Sequence, residues 1–160
     1  MANLRDPTFD EPRGDKEGYR ATRARVGYEL GTRRLGVSLW ELPPGEAAYP
    51  YHFHLAEEEL LVVIGGTPEL RTPQGVRTLE EGEIVSFGVG EEGAHQVINR
   101  GDEVVRFLAV STNGEPDVVL YPDSGKVFAG ERLPQGGGVR LFFRQADAVD
   151  YWADEPPLAD

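Results

Sequence analysis

The sequence predicts an all-β domain, and three observations lead to this fold class. Twenty glycines and twelve prolines among 160 residues indicate many turns, because Pro fixes φ and Gly accepts the positive φ that turns often need. The apolar runs between these residues are short, about four to seven residues, which is typical of strands. Turn signals also recur about every ten residues, as they do in β-sandwiches and barrels.

The chain divides into a polar arm, expected at 1–18, and a single domain, expected at 19–160, since this length suits one hydrophobic core. A short helical turn is predicted at 146–152, and a turn at 122–126. The predicted strands, in order, are 20–28, 35–42, 59–64, 69–72, 76–79, 84–87, 94–99, 104–111, 117–121 and 139–143.

The strand predicted at 59–64 has the sequence Glu-Leu-Leu-Val-Val-Ile. Side chains alternate between the two faces of a strand, so Leu61 and Val63 share one face with Glu59. The other face carries only apolar side chains, those of residues 60, 62 and 64. A strand at the surface of a one-sided sheet would alternate with polar residues. We therefore expect both faces to be buried, the outer one by a second layer or by a partner subunit.

Composition limits the possible partners. Twenty-eight acidic and sixteen basic residues give a net charge of −12, which repels nucleic-acid phosphates, so no nucleic-acid partner is expected. The absence of cysteine excludes disulfides and thiolate metal sites.

No segment has the apolar length that crosses a membrane, and residues 1–10 do not resemble a signal peptide. The expected location is therefore cytoplasmic.

The three histidines of the chain, His52, His54 and His95, predict a metal site. His52 and His54 are two positions apart and would share one face of a strand. The glutamate run 57–59 follows directly. Three neutral imidazoles and one carboxylate suit a divalent Zn, Fe, Mn or Ni ion, and they leave coordination positions for water or substrate. The metal identity stays open at this point, as does the choice among the three glutamates.

The same stretch resembles the first motif of the cupin superfamily. That motif is Gly, five or six residues, His-x-His, three or four residues, Glu, six residues, Gly. Here six residues separate Gly45 from His52-Phe53-His54, and six residues separate Glu59 from Gly66. The resemblance selects Glu59 as the fourth ligand. Glu58 is the second choice, because six residues also separate it from Gly65.

The second cupin motif is Gly, five residues, Pro-x-Gly, two residues, His, three residues, Asn. Gly82, Gly90, His95 and Asn99 follow this order. Gly88 stands in place of Pro, and four residues separate Gly90 from His95 where the motif has two. The resemblance covers about residues 35–111. It implies a double-stranded β-helix, or jelly roll, with the metal inside one mouth, and a homodimer. The sequence is similar in particular to small single-domain bacterial cupins of uncharacterised function.

Four further residues are candidates for the pocket or for contacts behind the ligands: Tyr51, Gln96, Asn99 and Arg106. Three of them also have a simpler interpretation, which is core packing for Tyr51, a hairpin turn for Asn99 and an outward position for Arg106. The resulting hypothesis is a metal-dependent enzyme acting on a small carboxylate, diketone or sugar-like molecule. Dioxygenase, decarboxylase, isomerase and lyase activities all occur among cupins. The alternative is a non-catalytic small-ligand or metal sensor, and fold analogy does not choose between the two.

Overall fold

The structure is a computed structural model that describes residues 3–4, 6–9, 16–114, 116–131 and 137–158. These residues form twelve strands, one α-helical turn (α1, Val26–Glu29) and two 3₁₀ turns (Glu91–Gly93 and Gln145–Asp147). The first six strands are β1 Thr22–Ala24, β2 Gly36–Leu42, β3 Phe53–His54, β4 Glu59–Gly65, β5 Glu69–Thr72 and β6 Gly75–Thr78. The others are β7 Ile84–Phe87, β8 Gln96–Ile98, β9 Val105–Ser111, β10 Asp117–Tyr121, β11 Lys126–Gly130 and β12 Arg140–Arg144. The all-β prediction is confirmed.

The strands form two layers. One layer is a five-stranded antiparallel sheet in the order β1-β2-β9-β4-β7. The other layer contains the sheets β12-β11-β10-β3 and β6-β5-β8, which meet at a bridge between His52 and His95. The main core lies between the layers and is built on large side chains such as Trp40, Leu61 and Phe107. The bridge places two of the three histidines at the centre of the second layer.

Strand β4 buries its inner face as predicted, whereas its outer face is only partly covered within this chain. Leu61 and Val63 are almost completely buried, whereas Leu60 is 37% exposed. Ile64, farther along the outer face, packs against a cluster formed by Ala24, Val26 and Leu39, and Phe9 of the N-terminal arm packs against the same cluster. The chain itself therefore covers one end of this outer face. The predicted homodimer stays a prediction.

The strand predicted at 20–28 is wrong in its second half. Only Thr22–Ala24 pair with β2, and α1 follows at once. The turn of helix places Val26 on Leu39. It also brings Gly27 so close to the backbone of Val37 that a Cβ there would lie 2.9 Å from the Val37 nitrogen. Packing across the outer face therefore overrides the loose alternation of this segment.

The C-terminal part differs more from the prediction. Strand β11 was not predicted, and its first residue, Lys126, was assigned to the turn at 122–126. In the structure the turn is shorter and closes at Gly125, whose φ is 60°, so that Lys126 already pairs with Tyr121. The helical turn predicted at 146–152 is instead the 3₁₀ turn Gln145–Asp147. Within the described part of the chain, no helix is long and apolar enough to cross a membrane.

Candidate metal centre

The three histidines converge between the two sheet layers. His52 and His95 exchange backbone hydrogen bonds of 3.2 and 2.9 Å, and His54 follows two residues after His52 on the same face. The centroid of the His52 ring lies 4.9 Å from that of His54 and 4.8 Å from that of His95. All three side chains are buried. The topology therefore collects every histidine of the sequence in one cluster.

Each histidine is held by its Nδ1 atom. His52 Nδ1 lies 3.0 Å from the Pro50 carbonyl oxygen, and His95 Nδ1 lies 3.0 Å from the Gly93 carbonyl oxygen. A carbonyl oxygen can only accept, so in both rings Nδ1 carries the hydrogen and Nε2 keeps its lone pair. This is the tautomer that a ligand binding a metal through Nε2 requires.

Glu59 completes the cluster from β4. Its Oε2 atom lies 3.3 Å from His54 Nε2 and 3.2 Å from His95 Nε2. An ion with bonds of about 2.1 Å places neighbouring donor atoms about 3.0–3.4 Å apart, so these separations match a shared coordination sphere. His52, His54 and Glu59 also offer one donor atom each within 4.8 Å of one another.

Two polar atoms of this cluster lack a hydrogen bond. His54 Nε2 and Glu59 Oε2 are both buried and have no hydrogen-bond partner among the described residues. Leaving such atoms unpaired in an apolar interior is costly. A divalent ion bound between them would satisfy both, so the residues present fit a metal ion of the kind that His and carboxylate donors prefer.

The electrostatics favour a positive charge at this point. Burial lowers the pKa of His52 to about 3, helped by the neighbouring His95, which keeps the ring neutral. Burial also acts to lower the pKa of His54, but Asp117 and Glu59 outweigh it and raise that pKa to about 9. For Glu59, burial acts to raise the pKa, while the adjacent His54 and His95 hold it well below its usual value. Two carboxylates thus favour a cation beside His54 Nε2, whether a proton or a metal ion.

Asp117, at the start of β10, is a functional residue that the sequence analysis missed. Its Oδ2 atom accepts a 2.6 Å hydrogen bond from His54 Nδ1, and its Oδ1 atom accepts one from the Ala56 backbone. Glu57 lies on the same side, with Oε2 3.8 Å from His54 Nδ1. Both acids are 1% exposed. The available signal was an acidic residue beginning the otherwise apolar strand Asp-Val-Val-Leu-Tyr.

Aromatic side chains form the walls around the histidines. The Phe87 ring stacks on His95 with centroids 3.8 Å apart. Tyr49 meets the edges of His52 and His95, and Tyr121 lies nearly parallel to His52 at 6.0 Å. These rings exclude water from most of the cluster, which strengthens the electrostatic interactions inside it.

The loop before His95 explains the longer spacing in the second motif. Residues Glu91–Gly93 form a 3₁₀ turn, and Gly93 supplies the carbonyl oxygen that fixes His95. A Cβ atom on Gly93 would overlap the carbonyl oxygen of Gly88. The additional residues are therefore used in a tight turn, and His95 still reaches the cluster.

The other predicted site residues lie elsewhere. Glu58 is exposed, unlike Glu59. Tyr51 is on the face opposite His52, where it packs with Phe53 beneath the Arg71 guanidinium, 4.0 Å from its ring. Gln96 donates to the Tyr49 carbonyl oxygen and so supports the aromatic wall. Arg106 is exposed and pairs with Glu41, which agrees with the simpler interpretation given above.

Asn99 has a structural role in the hairpin. Its amide group donates to the carbonyl oxygens of Leu42 and Glu103 at 2.8 and 2.7 Å, and its Oδ1 accepts from the Gly101 nitrogen. These contacts fix the β8–β9 loop.

We expect Asn99→Ala to destabilise the fold by about 2 kcal/mol, because it leaves buried carbonyl groups unpaired, while metal content stays unchanged. Urea denaturation and metal analysis check the two halves of this prediction. Gln74→Ala, at an exposed position, is the control with little expected effect. A loss of metal in a folded Asn99→Ala variant would contradict it.

Comparison with known proteins places this geometry in a family. Residues 38–111 match the family model described as a cupin domain. A cupin-superfamily sugar phosphate isomerase from Silicibacter pomeroyi superimposes with a TM-score of 0.79 at 23% identity, covering 92% of this chain and 94% of that chain. A protein from Acidithiobacillus ferrooxidans, provisionally named a sugar phosphate isomerase, gives a TM-score of 0.72 at 26% identity, with 83% and 81% covered.

A third similar structure is the polyketide cyclase RemF from Streptomyces resistomycificus, with a TM-score of 0.57 at 25% identity, covering 73% of this chain and 82% of that chain. No curated protein matches the sequence. The family match spans the strands that carry all four candidate ligands, and the superpositions confirm the double-stranded β-helix predicted from the two motifs. The chain is a small cupin-domain protein.

Proposed function

We propose that this protein binds one divalent transition metal ion through His52, His54, Glu59 and His95 and acts as an enzyme on a small, oxygen-rich organic molecule at that ion. The observation that carries the proposal is the pair of buried atoms His54 Nε2 and Glu59 Oε2, which lie 3.3 Å apart and have no hydrogen-bond partner among the described residues. The Nδ1 contacts of His52 and His95 leave the Nε2 atom of each ring available to an ion.

The chain supplies four ligand side chains, which is fewer than the coordination number that many such ions accept. A bound divalent ion would polarise a substrate oxygen and stabilise negative charge on it. Tyr49, Phe87 and Tyr121 would exclude water around that oxygen. His and carboxylate donors suit Zn, Fe, Mn and Ni, so the metal has to be identified by analysis.

Sugar-like substrates are the first class to test. The Acidithiobacillus ferrooxidans protein, 26% identical over most of both chains, is provisionally named for sugar phosphate isomerisation. Carboxylates and 1,3-diketones remain in the proposal, because they too bind an ion through oxygen. The alternative function, a sensor that binds a small ligand without turnover, shares the same site.

Metal analysis of the purified protein is the first experiment, with the expected result of about one ion per chain. The protein is then loaded separately with Zn, Fe, Mn and Ni and incubated with sugars, sugar phosphates, dicarboxylates, 1,3-diketones and catechols. Turnover that disappears in His52→Ala supports the enzyme. Ligand binding without turnover under every metal supports the sensor, and failure to hold any of the metals contradicts both.

A further inference from the structure

Two basic residues lie on the same row of the second layer as His52. The register pairs Tyr121 with Lys126 and Lys126 with Arg144. Leu120 pairs with Phe53, so Tyr121 is next to His52, and their rings are nearly parallel. Residues directly opposite each other on paired strands point to the same face. His52, Tyr121, Lys126 and Arg144 therefore form one row, called here the cationic row.

The row extends outward from the metal cluster. Neighbouring strands are about 4.8 Å apart, so the Lys126 backbone lies about 10 Å from that of His52, and the Arg144 backbone about 15 Å. Lys126 Nζ lies 5.0 Å from the centroid of the Tyr121 ring. Lys126 is half-buried and Arg144 is exposed. Burial thus decreases steadily from the histidine towards the end of the row.

Lys126 and Arg144 differ from five arginines of the chain in their charge environment. Arg20, Arg71, Arg77, Arg100 and Arg106 each have a carboxylate partner. Within residues 16–114, 116–131 and 137–158, Lys126 and Arg144 form no such ion pair. In a chain with a net charge of −12, two neighbouring unpaired cations create a local positive potential against the overall field.

We propose that Lys126 and Arg144 form an anion subsite that binds a phosphate or carboxylate group of the substrate while an oxygen at its other end reaches the metal. This inference rests on the proposed function of the metal cluster. The Arg144 guanidinium can present two parallel N–H donors to such a group, and Lys126 adds a compact positive charge.

The row also indicates where the substrate carries its charge. Lys126 and Arg144 lie two and three strands from His52 in the register, so the charged group lies at the end of the substrate away from the oxygen that reaches the metal. A sugar phosphate has this arrangement, with its phosphate at one end and its first oxygen at the other.

Calorimetric titration of the metal-loaded full chain tests the subsite. The probes are ribose 5-phosphate, ribonate and ribose, which carry a phosphate, a carboxylate and no charge. We expect the preferred anionic probe to bind about tenfold more weakly to Lys126→Met and to Arg144→Met, as is typical when a charge-assisted hydrogen bond is lost. Ribose binding should not change in either variant.

Arg106→Met is the matched control, because it removes the same charge from the outer face of the other layer. Equal affinity of an anionic probe for the wild type and both row variants would overturn the inference, as would a wild type that binds neither anionic probe. Thermal unfolding of each variant shows that it is folded.

Two further measurements separate this inference from the metal proposal. Metal content is determined in the same samples. Chelator-treated protein is titrated with inorganic phosphate, which tests the row without the ion. Phosphate binding that depends on Lys126 and Arg144 supports the subsite even if the protein holds no metal. If the protein holds metal but binds no phosphate at these two residues, the subsite is wrong and the metal proposal stands.

Discussion

Glu59→Gln is expected to reduce metal affinity by more than about 100-fold, which exceeds the loss typical of residues outside the coordination sphere. The Glu59 Oε2 atom is the one that lies within 3.3 Å of two imidazole Nε2 atoms. Glutamine keeps the size of the side chain but removes the negative charge that holds a cation between them. The variant should therefore fold and still fail to retain the ion.

The adjacent glutamate provides the control. Glu58 precedes Glu59 directly but is exposed, so Glu58→Gln should bind metal like the wild type. Metal analysis after purification measures retention. Thermal unfolding with added metal measures affinity, since an ion at 100 times its Kd stabilises the native state by about 2.7 kcal/mol. In a domain of this size that raises Tm by roughly 5–10 °C.

The results for the two variants decide whether Glu59 or Glu58 is the fourth ligand of the first motif. A Glu59→Gln protein that keeps its ion, or a Glu58→Gln protein that loses it, would show that the assignment of the fourth ligand is wrong. Because both substitutions remove one charge from the same segment, a difference between them cannot come from net charge.

Local patterns predicted the part of the fold that depends on neighbouring residues. The alternation of β4 gave its buried face correctly, because the period of a strand determines which side chains share a face. The bounds of β5 and β7 match the predicted ones, and β9 differs by one residue, since each lies between clear turn residues. The use of only three histidines in the chain predicted that the distant His95 joins His52 and His54, and the family resemblance selected the same residues.

The features that the sequence did not predict depend on long-range register. Asp117 reaches His54 only because β10 pairs with β3, 63 residues away along the chain. The cationic row likewise requires β11, a strand that was not predicted. Alternation within a strand says which residues share a face, but it does not say which strand lies beside it. Contacts behind and beside the metal cluster were therefore outside the reach of local patterns.

Asp117→Asn tests the most important of these long-range contacts. Asp117 receives the Nδ1 hydrogen of His54 in a 2.6 Å hydrogen bond, which fixes the ring and makes its Nε2 atom a stronger donor to a metal. Asparagine keeps the shape but loses the charge. We expect metal affinity to fall by about 10–100-fold, the range found when carboxylates behind metal-bound histidines are replaced.

Asp123→Asn is the matched control, because Asp123 belongs to the β10–β11 turn but is bonded to Arg71 at the surface. Competition titrations with a chromophoric chelator measure the affinity of both variants. The ¹⁵N chemical shifts of His54 provide a readout that a general loss of stability would not produce, since they report whether Nδ1 still carries the hydrogen. Unchanged affinity in Asp117→Asn would contradict the prediction, whereas equal losses in both variants would assign the effect to the hairpin and not to the carboxylate.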